Sequence, residues 1–235
     1  MIAEAIEKII GLKKPETIKV DEKTYFDNNY SPAKLQWCDP LKINNLNGIV
    51  DYIKNNVDGV VPECFIHVEE YNSVKLVSPV KGDFNQRFTL VQAKARETDF
   101  NFGSKYDIER FIIGLHSQFE ASDYRNYLLS IVSKLNVESS KSLKDNGIAQ
   151  EVTIRRGASS MVTSEQIKNP VILRPYRTFH EVEYQPASQF VFRLSETDGA
   201  PMCSLHECDG QFWKQDAIRL IGEFFREHVE INVIA

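Results

Sequence analysis

The chain has 235 residues, of which 42% are hydrophobic and 26% are charged, as in an ordinary soluble globular protein. Its formal net charge of −5 provides no overall attraction to nucleic acid or to an anionic membrane. No apolar run approaches the roughly 20 residues that a membrane-spanning helix needs, so no membrane partner is expected.

Residues 1–40 are predicted to form an N-terminal arm ahead of a single domain that spans residues 41–235. Residues 1–12 carry three charged side chains among apolar ones, which indicates a short amphipathic helix and not a signal peptide. A strand is predicted within residues 17–26, and the polar stretch that follows is typical of a long loop.

The arm also contains aromatic and apolar side chains that need a covering surface. Left in water, they would form an apolar patch of a kind that soluble monomers rarely expose. Asn28, Asn29, Ser31 and Pro32 favour an extended arm, which reaches a second subunit more easily than it folds back. A homo-oligomer is therefore expected, and a lid on the protein's own core is the alternative. The predicted oligomer contacts are Tyr25, Phe26, Tyr30, Leu35 and Trp37.

A helix and a three-stranded β-meander are predicted for residues 41–96. Asn44 or Asn45 caps the start of the helix, and Gly59 lies just beyond its end. The predicted buried face of the helix consists of Leu46, Ile49, Val50 and Ile53. The strands are predicted at residues 64–70, 73–80 and 87–96.

The meander is basic from residue 73 onward. Basic residues interleaved with aromatic ones, here Phe84 and Phe88, can follow a nucleic-acid backbone and stack on its bases. The alternative is a solvated outer face on an antiparallel sheet. The predicted contacts to single-stranded nucleic acid are Lys75, Lys81, Arg87, Lys94 and Arg96.

Two more helices and a strand are predicted next. The first helix opens at Ser104, which forms a capping box with Asp107, and the second is capped by Ser122. A strand at residues 148–156 precedes a loop or hairpin tip at residues 157–164. The apolar stripe of the first helix is Ile108, Phe111, Ile112, Leu115 and Phe119. The stripe of the second is Tyr124, Leu128, Ile131, Val132 and Leu135.

The last third of the chain predicts three strands, a long amphipathic helix and a closing strand. Residues 176–184 and 188–194 alternate between the two faces of a sheet that has one wet side. The helix begins after Asp209, and Arg219 can pair with Glu223 one turn on. We expect this helix to cover the antiparallel sheet before it. Its apolar stripe is Phe212, Trp213, Ala217, Ile218, Leu220, Ile221, Phe224 and Phe225.

The predicted fold class is therefore α+β, with antiparallel sheets and packed helices that end in a meander, a long helix and a closing strand. This order of elements, with VILRP at residues 171–175 and FVFRL at residues 190–194, resembles the YfdQ-like family of phage and prophage proteins of unknown function. The resemblance covers residues 41–235. It implies a viral origin and action in the cytoplasm of an infected bacterium, and it carries over no catalytic residue.

The cysteines are too sparse and irregular for a disulfide framework, which favours reduced thiols in a cytoplasm. Cys203, His206 and Cys208 are the nearest approach to a metal cluster, but a structural zinc site usually has a fourth ligand and a CxxC-like knuckle. We predict no metal here and expect Cys203 to be a small core residue.

No motif in the chain identifies a reaction. G-x-S-x-G, G-x-x-x-x-G-K-[ST] and G-x-G-x-x-G are missing from the sequence, so no catalytic residue and no cofactor is predicted. Two functions are favoured over a third, an enzyme whose site is assembled only in the fold. The first is a self-associating structural or interaction protein of phage origin, and the second is a nucleic-acid-binding accessory protein in phage replication or recombination.

Overall fold

The computed structural model describes residues 2–12, 17–20, 23–26, 38–81, 85–96, 98–136, 141–145, 150–156 and 161–235. Within these residues, five α-helices and fourteen β-strands form an α+β fold, as the sequence predicts. The helices are α1 (Ile2–Leu12), α2 (Asn47–Asn55), α3 (Ile108–Gln118), α4 (Asp123–Asn136) and α5 (Trp213–His228). The strands are β1 (Thr17–Val20), β2 (Lys23–Phe26), β3 (Leu41–Ile43), β4 (Phe65–Glu70), β5 (Ser73–Val77), β6 (Thr89–Lys94), β7 (Tyr106–Asp107), β8 (Lys141–Asp145), β9 (Gln150–Arg156), β10 (Met161–Gln166), β11 (Val171–Leu173), β12 (Ser188–Thr197), β13 (Ala200–Glu207) and β14 (Val233–Ile234).

The largest sheet among the described residues has five strands in the order β14-β4-β5-β6-β3. Its centre is the predicted meander, in which β4 pairs antiparallel with β5 and β5 with β6. The edge strands β3 and β14 each run parallel to their neighbours. The sequence does not predict β3, because three residues are too few to show an alternating pattern.

Helices α2 and α5 supply the apolar side chains that pack on this sheet, and together they form the five-stranded half of the molecule. Helix α2 buries its predicted face, and Asn45 Oδ1 accepts a hydrogen bond from Gly48 N at 2.9 Å. Each large side chain buried here contributes roughly 1.5–3 kcal/mol. The core includes Leu46, Ile49, Ile66, Val74, Leu76, Val91, Leu220, Ile221 and Phe225.

The second sheet has four antiparallel strands in the order β11-β12-β13-β7. Helices α3 and α4 pack against it and complete the four-stranded half. Along β12, Ser188, Phe190, Phe192 and Leu194 are buried in alternation with more exposed residues, which confirms the predicted strand. The core of this half includes Phe100, Phe111, Leu115, Phe119, Leu128, Val132, Leu173, Phe190 and Phe192.

Helix α5 does not cover the sheet that precedes it, so that prediction is wrong. Leu220, Ile221 and Phe225 lie in the core of the five-stranded half, and β14 joins that sheet beside β4. The physical reason is that α3 and α4 already bury the apolar side chains of the four-stranded sheet. The end of the chain therefore completes the core that its first strands began.

Residues 176–184 do not form a strand, although their alternation predicts one. Arg177, Thr178 and Phe179 are buried in succession, which breaks the period of two. The Gln185 side chain replaces a strand partner: its Oε1 accepts from Arg177 N at 3.1 Å, and its Nε2 donates to Phe179 O at 3.0 Å. We call residues 174–187 the junction loop, because it bonds to both halves of the molecule.

The junction loop makes direct hydrogen bonds to each half. Thr178 Oγ1 donates to Tyr71 O at 2.5 Å in the turn between β4 and β5. Glu181 Oε1 accepts from Leu46 N at 2.8 Å, at the start of α2. On the other side, Gln185 N donates to Glu120 Oε1 at 2.9 Å, just beyond α3.

One predicted helix start and two residues assigned to apolar stripes are corrected, and one predicted helix start is confirmed. Asp107 and not Ser104 caps α3, since its Oδ1 accepts from Arg110 N at 2.8 Å and Tyr106–Asp107 forms β7. Ser122 does cap α4, accepting from Arg125 N at 3.2 Å. Phe212 precedes α5 and is 74% exposed, and Tyr124 is exposed on α4, so neither belongs to an apolar stripe.

The remaining elements lie in two smaller sheets. Strands β8, β9 and β10 form an antiparallel sheet in the order β10-β9-β8, which confirms the strand predicted at residues 148–156. Strands β1 and β2 pair as an antiparallel hairpin in the arm. None of the helices in the described ranges is long and apolar enough to cross a bilayer. The domain boundary at residue 40 stays a prediction.

Candidate functional site

The predicted oligomer contacts fall only partly within the described residues. Tyr25 and Phe26 are on β2, where they pair with Ile18 and Thr17 of β1. Tyr30, Leu35 and Trp37 lie outside the described residues. The arm is more regular than its composition suggests, because it contains both α1 and this hairpin.

Helix α1 exposes an apolar face. Ile2 is 80% exposed and Ile6, one turn later, is 51% exposed. All residues from Ile2 to Lys8 are exposed. A helix of this length is marginal in water without a packing partner, so α1 is an element that needs a surface to pack on.

Of the predicted nucleic-acid contacts, Lys75 on β5 and Lys94 on β6 alternate with core residues and so lie on the side of the sheet away from α2 and α5. Lys75 pairs in register with His67 on β4 and with Gln92 on β6, and Lys42 on β3 extends the same row across the sheet. Lys94 is opposite Ser73. We call this surface the outer face of the five-stranded sheet.

Acidic residues neutralise part of this outer face. Lys75 Nζ lies 2.5 Å from Glu69 Oε1, and Lys81 Nζ lies 2.8 Å from Glu63 Oε2. The hydrogen bond from each lysine is the main cause that lowers the pKa of its glutamate.

The other three basic residues form no ion pair within the described residues. The Arg87 guanidinium stacks 5.2 Å from the centre of the Phe65 ring. Lys94 and Arg96 are exposed and have no ion pair within the described residues. Three of the five predicted contacts are therefore available to a phosphate backbone.

The cysteines do not form a reactive or metal-binding centre in the described part of the chain. Cys203 is fully buried in the core of the four-stranded half, as predicted. Burial raises the pKa of the Cys64 and Cys208 thiols, and Asp209 raises that of Cys208 further, so neither is poised as a thiolate. Among the described residues, no three ligating side chains converge on a metal position.

A cleft of about 220 Å³ opens where the two halves meet, and the sequence does not predict it. Tyr71 enters it from the β4–β5 turn, Phe100 and Phe102 from the segment before β7, Arg177 from the junction loop and Trp213 from the start of α5. We call it the junction cleft. Because its residues come from four separate segments, no local spacing could have indicated it.

Arg177 organises the wall of the junction cleft. Its guanidinium lies 3.8 Å from the centre of the Trp213 ring and 5.4 Å from that of Phe102. The same group hydrogen-bonds to the Glu207 carboxylate and to Ser188 Oγ. Burial lowers the pKa of Arg177, and the hydrogen bond and charge of Glu207 oppose that shift.

Two donors in this wall are unused. Arg177 Nε and Trp213 Nε1 are buried and have no hydrogen-bond partner within the described residues. Lys214 Nζ lies 5.2 Å from the centre of the Tyr71 ring and donates to Gln211 Oε1 at 2.7 Å. The cleft therefore combines aromatic rings with a lysine at its rim, and two of the residues that line it carry a buried N–H group without a partner in the described residues.

Comparisons with protein-family models, with curated proteins and with solved structures find no match to this chain.

Proposed function

We propose that this protein is a self-associating interaction protein of phage origin that works by binding and not by catalysis. The observation that carries the proposal is the exposed apolar face of α1, on which Ile2 and Ile6 face solvent. The adjacent β1–β2 hairpin is also too small to be stable alone.

A second copy of the chain is the partner that this surface favours. Two identical amphipathic helices can bury the same apolar face against each other about a twofold axis, which is the commonest symmetry of soluble oligomers. The predicted contacts Tyr25 and Phe26 belong to β2 of the hairpin, which would join the helix in the interface. Self-association thus uses both regular elements of the arm.

The phage origin and the cytoplasmic location rest on the resemblance to the YfdQ-like family and on the cysteine usage. The order of helix, meander, helical pair and terminal strands, from which the resemblance was inferred, is also the order in the structure. In this proposal the protein acts inside an infected bacterium, where its oligomer would bind another molecule.

Light scattering on the full chain tests self-association. Ile2→Glu with Ile6→Glu should lower the native mass, because a carboxylate on the apolar face opposes its burial. Glu7→Gln, on the same helix, is the matched control and should leave the mass of the assembly unchanged. A chain beginning at Leu41 should also give the smaller species. A wild-type protein that is monomeric would end the proposal.

Binding of single-stranded nucleic acid is the second candidate, favoured by the row of Lys42, His67, Lys75 and Gln92 across the outer face. Replacing Arg87, Lys94 and Arg96 with Gln should weaken binding and reduce its salt dependence. The same change at Lys75 and Lys81 should have a smaller effect, because Glu69 and Glu63 already neutralise them. If wild-type protein gives no gel shift with single-stranded DNA at low salt, this candidate is wrong.

A further inference from the structure

The junction cleft is lined by aromatic rings and by polar and charged side chains. Ligand pockets are concave and mostly apolar, with a few polar groups that fix the orientation of the ligand. Here the Tyr71 and Trp213 rings meet edge to face at 4.8 Å, and Phe100 and Phe102 lie 5.4 Å apart. A planar ring that enters between these surfaces would gain stacking contacts.

The unmet donors indicate what else the ligand must carry. Arg177 is 6% exposed and Trp213 is 5% exposed, and each has one buried N–H group without a partner in the described residues. Native proteins satisfy nearly all buried donors, so two orphan donors on stacked neighbours point to an acceptor that comes from outside the chain. Oxygen is the acceptor that such N–H groups bind best.

One cation at the mouth of the cleft, Lys214, has no ion pair among the described residues. The Glu207 carboxylate is already engaged by the Arg177 guanidinium. Lys214 contributes a second positive charge, and its ammonium group has three donors, of which one reaches Gln211. Glu207 and Asp209 both act on the Arg177 guanidinium, so Lys214 is the positive charge at this mouth beside which a negative group can bind.

We propose that the junction cleft binds a small aromatic acid, that is, one planar ring bearing a carboxylate or a phosphate group. The ring packs against Tyr71, Phe102 and Trp213, an oxygen accepts from Trp213 Nε1 and Arg177 Nε, and the acidic group faces Lys214. A volume of about 220 Å³ fits one ring system with its substituent. Because both orphan atoms are closed to water in this structure, the indole must shift to admit the oxygen. This inference is independent of self-association.

Nuclear magnetic resonance of the full-length protein tests the proposal directly. The chain has two tryptophans, so its spectrum contains two indole N–H signals, and Trp37→Phe assigns them. The probes are uridine monophosphate and benzoate as acids with a ring, uridine as the ring without the acid, and inorganic phosphate as the acid without the ring. We expect one of the two acids to move the Trp213 signal at millimolar concentration, with uridine and phosphate at least about tenfold weaker. Which acid binds distinguishes a phosphate from a carboxylate ligand.

Matched variants separate binding from folding. Trp213→Phe keeps an aromatic ring but removes the indole N–H, and its affinity by calorimetry should fall about tenfold, whereas Trp37→Phe should bind as wild type does. Lys214→Gln, at the rim, should weaken binding similarly, and Lys54→Gln on α2 should not. The proposal is overturned if neither acid moves the Trp213 signal, if phosphate alone moves it equally, or if Lys214→Gln binds as tightly as wild type.

Discussion

The two halves of the molecule complete their cores by different routes. The four-stranded half is built from one continuous stretch of the chain, which runs from β7 through α3 and α4 to β13. The five-stranded half instead combines strands β3, β4, β5 and β6 with α5 and β14, which follow that stretch in sequence. Contacts between segments so far apart in sequence form late and slowly. We therefore expect the five-stranded half to close only after the four-stranded half, which lies between its segments, has folded.

The two cores also differ in chemistry. The five-stranded half is packed mainly with aliphatic side chains, whereas rings in the four-stranded half contact one another, as in the pairs Phe100–Phe119 at 5.1 Å and Phe111–Phe192 at 5.5 Å. Aliphatic packing depends mostly on buried area, but ring pairs also depend on their mutual geometry. The four-stranded half should therefore tolerate small displacements less well.

Truncating one ring in each core should give the largest effects. Phe192 and Phe225 are both fully buried, so Phe192→Ala and Phe225→Ala should each lower the free energy of unfolding by about 3–5 kcal/mol. Urea unfolding followed by circular dichroism measures this. Because the junction loop bonds to both halves, each variant should unfold in one transition. Two separate transitions would show that the halves are independent.

The ion pair at the junction should matter more than an ion pair on a helix surface. Glu207→Gln leaves the buried Arg177 guanidinium without its counter-charge, and we expect a loss of about 3 kcal/mol, the lower end for a broken buried pair because Glu207 is partly exposed. Glu223→Gln, which breaks the exposed pair with Arg219, should cost no more than about 0.5 kcal/mol.

Equal losses for these two variants in urea unfolding would contradict the role assigned to Arg177. Glu207→Gln should also destabilise both halves together, because Arg177 belongs to the loop that joins them. Protection of backbone amides from hydrogen exchange in β5 and in β12 provides a separate measure for each half.

The sequence predicts best where a pattern persists through an element that packs on one side. Helix α2, the meander and β12 fulfil that condition, and each is found where the periodicity places it. The pairing of Arg219 with Glu223 at 2.6 Å is equally local and was predicted. Such features depend on neighbours within one or two turns, and those neighbours are visible in the sequence.

The junction could not be predicted in this way. Residues 176–184 alternate like a strand, but the Gln185 side chain satisfies their backbone groups and permits three consecutive buried residues. The partner of α5 depends on which sheet α3 and α4 have already covered. The junction cleft combines both effects, since its Arg177 comes from the misjudged loop and its Trp213 from the helix with the unexpected partner.

Substituting one glycine in each half shows how well that half accommodates an added methyl group. A Cβ at Gly114 on α3 would lie 2.9 Å from the Phe100 ring, which is buried among other rings, whereas a Cβ at Gly222 on α5 would lie 2.7 Å from the Cβ of Ala235, which is exposed. Gly114→Ala should therefore cost about 2 kcal/mol, and Gly222→Ala less than about 1 kcal/mol, because the exposed Ala235 can shift. Thermal unfolding of the two variants measures this difference, and a greater loss for Gly222→Ala would reverse the proposed contrast in rigidity.

The smallest effect is expected at the Glu69–Lys75 pair on the outer face of the five-stranded sheet. The hydrogen bond from Lys75 lowers the pKa of Glu69 below its ordinary value of 4.5. A carboxyl whose pKa is lowered by folding stabilises the protein above its unfolded pKa, and this contribution is lost as the pH falls through the folded pKa. The Glu69 side chain is 38% exposed, so solvent screening reduces the contribution to a few tenths of a kcal/mol.

Glu69→Gln should therefore lower the free energy of unfolding slightly at pH 7 and by less at pH 3, because the contribution is lost as the pH falls through the lowered pKa of Glu69. Glu70→Gln, at the exposed neighbouring position of β4, is the matched control and should show no such difference between the two pH values. Urea unfolding at both pH values measures the effect. A loss at pH 3 as large as that at pH 7 would mean that Glu69 stabilises the protein through packing and not through its charge.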